Sequence, residues 1–441
     1  MDQPTHPGSG ETAIERLERL RSESVGHRVV SIPLLKGSGH LVVDHRLVQE
    51  VFSSQALVRP PFFRKAFGEG LLLADGDRWA HSRRVIQPAL SASAVRSLEG
   101  LVDECVGELL AGWAEAAETG RSVPLVSDIA SCVLRITVRG LFGFDTGRND
   151  PRALSVVRLT AASNELAGLG VFDPRTLVGG RLIKALQSER ADVESLAREL
   201  IEKRRGLDAG SGCPEDLLGR LLEPSFLDAK VGDGGCPVGE RGLLEEIVLL
   251  LLASVETTTA STANALQLIG SDPACARGIR SEARSDSGDD QGDPDAAPFV
   301  HACFREALRL RPPVWFNGRF AVERVELSSG HVVEPEDHVY VCPYLLHRDP
   351  DLWPEPDRFL PDRFTDAKVR EGASYMPFGL GRHYCVGSGL ATLIATRLLA
   401  GVLANHDVVI DSPPDKTPGG GFLLGPSLTA TASFTPLSGS R

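Results

Sequence analysis

The stretch PFGLGRHYCVGSG, residues 377–389, sets one cysteine, Cys385, among Gly379, Gly381, Gly387 and Gly389, directly ahead of an apolar helical run. Glycines let the backbone bend tightly and let a flat or bulky partner come close. A cysteine just before a helix N-terminus meets the positive end of the dipole, which favours thiolate over thiol. Here a large group can settle on a sulfur anion. Three other stretches carry chemistry-bearing residues at helical spacing. FREALRLRPP holds Glu306 and Arg309, which at i and i+3 lie on one helix face and can pair. ASVETTTAS holds Glu256 and Thr257, where a buried threonine can bond back to the carbonyl one turn earlier or offer its hydroxyl as a proton relay. GDRWAHSRRVIQPAL holds Trp79 and Arg83, again one helical turn apart.

Taken together and in this order, the stretches resemble the cytochrome P-450 monooxygenases, of the soluble bacterial type, over about residues 30–435. Phe378, Gly379, Gly381, His383, Cys385 and Gly387 fit F-G-x-G-x-[HR]-x-C-x-G, the haem-binding loop. The resemblance implies haem b with Cys385 as the axial thiolate to iron. It implies haem contacts from Phe378, Gly379, Gly387 and Ala253, and propionate partners at Trp79, Arg83, Arg319 and His383. Histidine at 383 replaces the commoner arginine and is a pH-sensitive donor. Ala253, Glu256, Thr257 and Thr258 match A-G-x-[DE]-T-T, which implies that Glu256 and Thr257 deliver protons to bound dioxygen. Ser254 stands where the family has glycine, a side chain expected to narrow the oxygen groove, join its water network or restrain the helix. Glu306, Arg309 and Arg363, the last in PDRF where the family has P-E-R-F, imply a buried structural triad.

Substrate contacts are expected from apolar residues on the distal side: Phe62, Phe63, Phe67 and Leu72 before Trp79; Leu249, Leu252 and Ala253; Val314, Trp315 and Phe316; and Phe422 and Leu423. Each of these is equally a candidate for plain core. Their shared character points to a lipophilic substrate, by analogy a terpenoid or other secondary metabolite. No flavin- or nicotinamide-binding module accompanies the motifs, so electrons are expected from a separate ferredoxin and its reductase, docking near Arg84 and Arg382. Oxidative coupling, dehydration, peroxygenation and haem-based sensing are the alternatives on the same fold.

The elements that position these residues are mostly helical. Apolar periodicity marks helices over 91–118, 127–143 and 191–205, and one long helix from Gly239 to Asp272 that is apolar nearly all round and so runs through the interior. Alternating stretches predict a hairpin in HRVVSIPLL with GHLVVD, and another in residues 325–343. Residues 206–238 and 281–298 read as surface loops. The aspartates of the second lack the glycine and terminal glutamate of a calcium loop. The expected architecture is mainly α with small β-sheets, haem lying between the long helix and the cysteine loop. It is a single catalytic domain over 13–441 after a disordered tail, 1–12.

Composition agrees. Of 441 residues, 42% are apolar and 24% charged, an ordinary globular balance. The net charge of −12 argues against nucleic acid as a main partner. The eight cysteines show no C-x-x-C spacing, which speaks against structural zinc and a disulfide scaffold and fits a reducing compartment. The polar N-terminus has no signal-like run, and residues 247–255 are too short to span a bilayer, so a cytoplasmic monomer without a membrane anchor is expected.

Overall fold

The computed structural model describes residues 15, 18–19, 22, 26–33, 38–61, 68–159, 180–208, 216–231, 237–285, 298–365, 372–411 and 423–437. The expected tail, Phe62, Phe63, Phe67, Phe422 and the aspartate run 286–297 lie outside these residues. The fold is mainly helical. Among the described residues, the helices of nine residues or more are α1 (His45–Ser53), α2 (Gly76–Ile86), α3 (Glu99–Glu118), α4 (Leu125–Phe142), α5 (Gly180–Asp208), α6 (Gly239–Gly270), α7 (Pro273–Ser285), α8 (Pro298–Leu310) and α9 (Ser388–Asn405).

The long helix is α6, and it is the axis of the core. From Leu243 to Ile269 nearly every side chain is buried, against α4, α8 and α9. Helix α4 is buried on almost every face, from Leu125 to Phe142. Among the described residues, α9 alone is long and apolar enough to cross a membrane. Its Leu390, Ile394, Leu398, Leu399, Val402 and Leu403 belong to the main core cluster.

The first hairpin forms as expected. Strands β1 (Val29–Pro33) and β2 (Ser38–Val42) pair antiparallel with Val29 opposite Val42. The second stretch gives a two-stranded ladder, β6 (Val325–Glu326) with β7 (Val332–Val333). Its last strand, β8 (His338–Val341), instead joins β2 in parallel, with Gly39 opposite His338. Strands β5 (Asn317–Ala321) and β3 (Leu57–Val58) complete a sheet of order β1-β2-β8-β5-β3. A three-stranded sheet joins β4 (Val123–Pro124), β10 (Thr431–Pro436) and β9 (His406–Ile410).

Two expectations are corrected. The helix of 91–118 breaks at Leu98, leaving a short N-capped turn Ala92–Ser97 ahead of α3. The loop 206–238 contains helices at Leu217–Leu222 and Pro224–Leu227, whose Leu217, Leu218, Leu221 and Phe226 are buried. Polar and glycine-rich flanks hid these short apolar anchors.

Candidate active site

The cysteine loop is built by its glycines. Gly379 and Gly381 have φ of +79° and +70°, a left-handed backbone that L side chains rarely adopt. The turn is closed by Cys385 N–H donating to the Phe378 carbonyl (2.9 Å) and Tyr384 N–H to that of Gly381 (3.1 Å). Gly387 caps α9 with an ordinary φ of −95°, and a Cβ there would meet nothing within 4 Å. The chain itself therefore does not demand glycine at 387, whereas a group laid against the loop would. Of the six cysteines described, five are buried and Cys385 is exposed. Among the described residues no group of three His, Cys, Asp or Glu side chains is arranged to hold a metal, so a metal at Cys385 must bring its other ligands with it.

Cations surround the loop. Arg83, on α2, donates from Nη1 to the Tyr384 carbonyl (2.8 Å) and from Nε to Gln87 (2.8 Å). Burial draws its pKa down, and negative charge at Cys385 opposes that. Arg319, on β5, is 6% exposed and lies 4.5 Å over the Phe52 ring. Burial draws it down to about 10 against the charge of Asp75. The His383 ring lies 4.7 Å from that of Trp79, with Arg382 5.8 Å over the same indole. His383 Nε2 sits 3.3 Å from Asp75 Oδ1, and the Arg59 N–H donates to Asp75 Oδ2 (2.8 Å). Burial would raise the Asp75 carboxyl, but these two donors outweigh it and hold it low. Arg382 Nε is a buried donor with no protein partner, and His383 Nδ1 is a buried ring nitrogen without one, which donates only when the imidazole carries both protons. A macrocycle bearing carboxylates and iron fits this set: an exposed thiol, a loop with room at Gly387, and a spare buried guanidinium donor among further cations.

The other wall is the middle of α6. In a buried span, Ala253, Ser254 and Thr257 are half-buried, and Ala253 and Thr257 share a face one turn apart. Thr257 Oγ1 donates to the Ala253 carbonyl (2.7 Å), and Glu256 is buried beside it. Ser254 is half-buried on the same helix. Its hydroxyl donates to the Leu251 carbonyl (3.2 Å) and accepts from Thr137 on α4 (3.3 Å), tying the two helices together.

Apolar segments flank that face. Leu249 and Leu252 are buried on α6, and Leu72 is 42% exposed in the segment before α2. Val314 and Leu423 form a β-bridge beside α6, where Asn264 donates to the Leu424 carbonyl (3.0 Å). Trp315 and Phe316 are committed to the sheet core, where Phe316 stacks on Tyr340 at 4.8 Å.

The triad assembles under the loop. Arg309 and Glu306, both fully buried, form a two-pronged pair at 2.7 and 2.8 Å, and Arg363 reaches Glu306 at 3.4 Å. Arg309 also donates to the carbonyls of His347, Pro356 and Arg358. His347 extends the triad and is not singled out by the sequence. It is fully buried, its Nδ1 3.2 Å from the Arg309 carbonyl and its Nε2 accepting from Met376 N–H at 3.0 Å. It thereby links the triad to the segment entering the cysteine loop. Asp75 and a buried group of Glu246, Arg78 and Ser82 were equally silent in sequence, since only tertiary folding brings their elements together.

The cytochrome P450 family model matches residues 22–431. Cyclooctatin synthase of Streptomyces melanosporofaciens is 29% identical over 76% of this chain and 72% of its own length. Cyclooctat-9-en-7-ol 5-monooxygenase of the same organism is 27% identical over 88% and 84%. A crystal structure of a cytochrome P450, CYP102L1, superposes with a TM-score of 0.74 over 95% of this chain and 97% of that one, at 19% identity. With the thiol loop, the triad and the fold in register with that match, the chain belongs to the cytochrome P450 family and is an enzyme of its monooxygenase class.

Proposed function

We propose that the protein inserts one oxygen atom from dioxygen into a cyclic, lipophilic secondary metabolite of terpenoid type, as a soluble bacterial P450 fed by a separate ferredoxin and reductase. The observation that carries this is the pairing of an exposed Cys385, on a loop with spare cationic donors, with a half-buried Ala253–Thr257 face on the helix packed against α9. Haem, when bound, supplies the iron at which dioxygen is reduced and split.

The chain's own residues do the rest. The Cys385 sulfur is held by the turn and lies in the field of Arg83, which favours the anion. Arg382 and Arg319 would hold carboxylates of the cofactor, and His383, fixed by Asp75 through Nε2, would donate from Nδ1 to one of them with the ring doubly protonated. Thr257 commits its hydrogen to the Ala253 carbonyl, so its oxygen presents lone pairs that accept a hydrogen bond on the distal face. Glu256, next in the chain, is the titratable group placed to renew a proton there. Leu72, Leu249, Leu252, Val314 and Leu423 give that face apolar flanks, which orient a hydrocarbon and exclude water.

The terpenoid assignment draws on the two Streptomyces relatives, one of whose names describes oxidation of a cyclic alkenol. The test is turnover of a panel of cyclic terpenoid alkenols with ferredoxin, reductase, NAD(P)H and isotopically labelled dioxygen. One labelled oxygen per product supports the proposal. Turnover that carries no label, or that proceeds only with added peroxide, refutes it.

A further inference from the structure

The segment Gly68–Ala74, between β3 and α2, has little backbone pairing of its own. Beyond a turn in which Leu73 and Ala74 N–H reach the Gly70 carbonyl, its polar groups are met by side chains. Glu246 Oε1 accepts from Leu71 N–H at 2.7 Å and Glu245 Oε2 from Glu69 N–H at 3.1 Å. Arg78 Nε donates to the Glu69 carbonyl at 2.8 Å, and Arg59 Nη1 to that of Leu71 at 2.9 Å. The centre of this clasp is fully buried: Glu246 Oε2 accepts from Ser82 Oγ at 2.6 Å and pairs with Arg78 Nη2 at 3.3 Å.

The clasp sits on the reacting face. Glu246, Leu249, Ala253 and Thr257 are spaced by three, four and four residues, so they line one stripe of α6. Glu246 lies about 10 Å up the axis from Ala253. The segment's backbone lies directly on that stripe: a Cβ at Gly70 would stand 2.8 Å from Leu249 Cδ1 and 3.2 Å from Glu246 Cα. Leu72 is the segment's exposed tip. Burial pushes the Glu246 carboxyl up, against Arg78 and the two hydrogen bonds, so the charge is costly there without these partners.

We infer that Glu246, clasped by Arg78 and Ser82, is a positioning residue that fixes the Gly68–Ala74 segment over the substrate side of α6 and so sets the size of substrate admitted. This rests on the proposed distal site, and two independent readouts separate them. The first is amide hydrogen exchange, comparing wild type with Glu246→Ala and Glu246→Gln. Loss of the acceptor should speed exchange across 69–74 about tenfold, with the β1–β2 hairpin unchanged, and glutamine, which keeps an acceptor for Leu71, should restore most of the protection. The second is spectral titration of the haem protein with imidazole and with 4-phenylimidazole. Glu246→Ala should change affinity for the larger ligand about tenfold and leave imidazole within about twofold.

Should Glu246→Ala not fold, Gly70→Val, which keeps every charged residue but sets a Cβ 2.8 Å from Leu249 Cδ1 and 3.1 Å from Glu246 Oε1 and so displaces the segment, must give the same pattern. Unchanged exchange in 69–74, or equal changes for both ligands, overturns the positioning role. A wild type that binds neither imidazole instead overturns the haem site, and the exchange result still decides the clasp.

Discussion

His347 gives the protein a specific sensitivity to acid. Its ring is buried between Arg309 and the segment entering the cysteine loop, and burial, reinforced by the Arg309 charge, lowers its pKa from 6.5 to about 3. The Met376 N–H needs a lone pair at Nε2, so the ring must be neutral with its proton on Nδ1, facing the Arg309 carbonyl. The folded pKa lies below the unfolded one. Between them the unfolded chain binds the extra proton, so stability rises with pH there. The contribution is complete above pH 6.5 and is lost as pH falls toward 3. The slope is about 1.4 kcal/mol per pH unit, which amounts to about 2 kcal/mol between pH 7 and pH 5. Glutamine at 347 offers a donor and an acceptor but does not titrate. Urea unfolding followed by tryptophan fluorescence, at pH 7 and pH 5, should show wild type losing about 2 kcal/mol more than His347→Gln. The other titrating groups cancel in that difference. Equal losses in the two proteins would refute the neutral, buried imidazole.

Two further outcomes separate proton delivery from scaffolding on α6. Thr257→Ala removes a hydroxyl whose structural bond is to its own helix, so haem content should hold while electrons are wasted as peroxide; a peroxide-to-product ratio equal to wild type would remove Thr257 from proton delivery. Ser254→Ala breaks the Thr137 link and should cost about 1 kcal/mol in thermal unfolding without altering that ratio, and a changed ratio would return Ser254 to the oxygen site.

The features carried by local chain chemistry were legible in sequence. Gly379 and Gly381 announce a turn that only glycine makes easily, the i,i+3 spacing of Glu306 and Arg309 announces a shared face, and the apolar run of α6 announces an interior helix. Features that depend on distant elements meeting were not. The parallel pairing of β2 with β8 leaves no mark in either strand. Glu246 is one of two adjacent carboxylates in the second turn of α6, and only folding puts Arg78 and Ser82 against it while Glu245 faces outward enough to meet exposed Arg241. Trp315 and Phe316 have the composition of a substrate wall and equally of a core, and the sheet against which they pack decides between them. Ser254 was ambiguous for the same reason, since its partner Thr137 sits on another helix.

The central claim is a bond between Cys385 sulfur and haem iron. The most direct measurement is the absorption spectrum of the ferrous, carbonyl-bound protein, purified without denaturation, for wild type and Cys385→Ser. Wild type should show the long-wavelength Soret band of a thiolate-ligated adduct, and the variant should lose it. A wild-type band at the position of a nitrogen-ligated globin, or a thiolate band that survives in Cys385→Ser, would contradict the assignment.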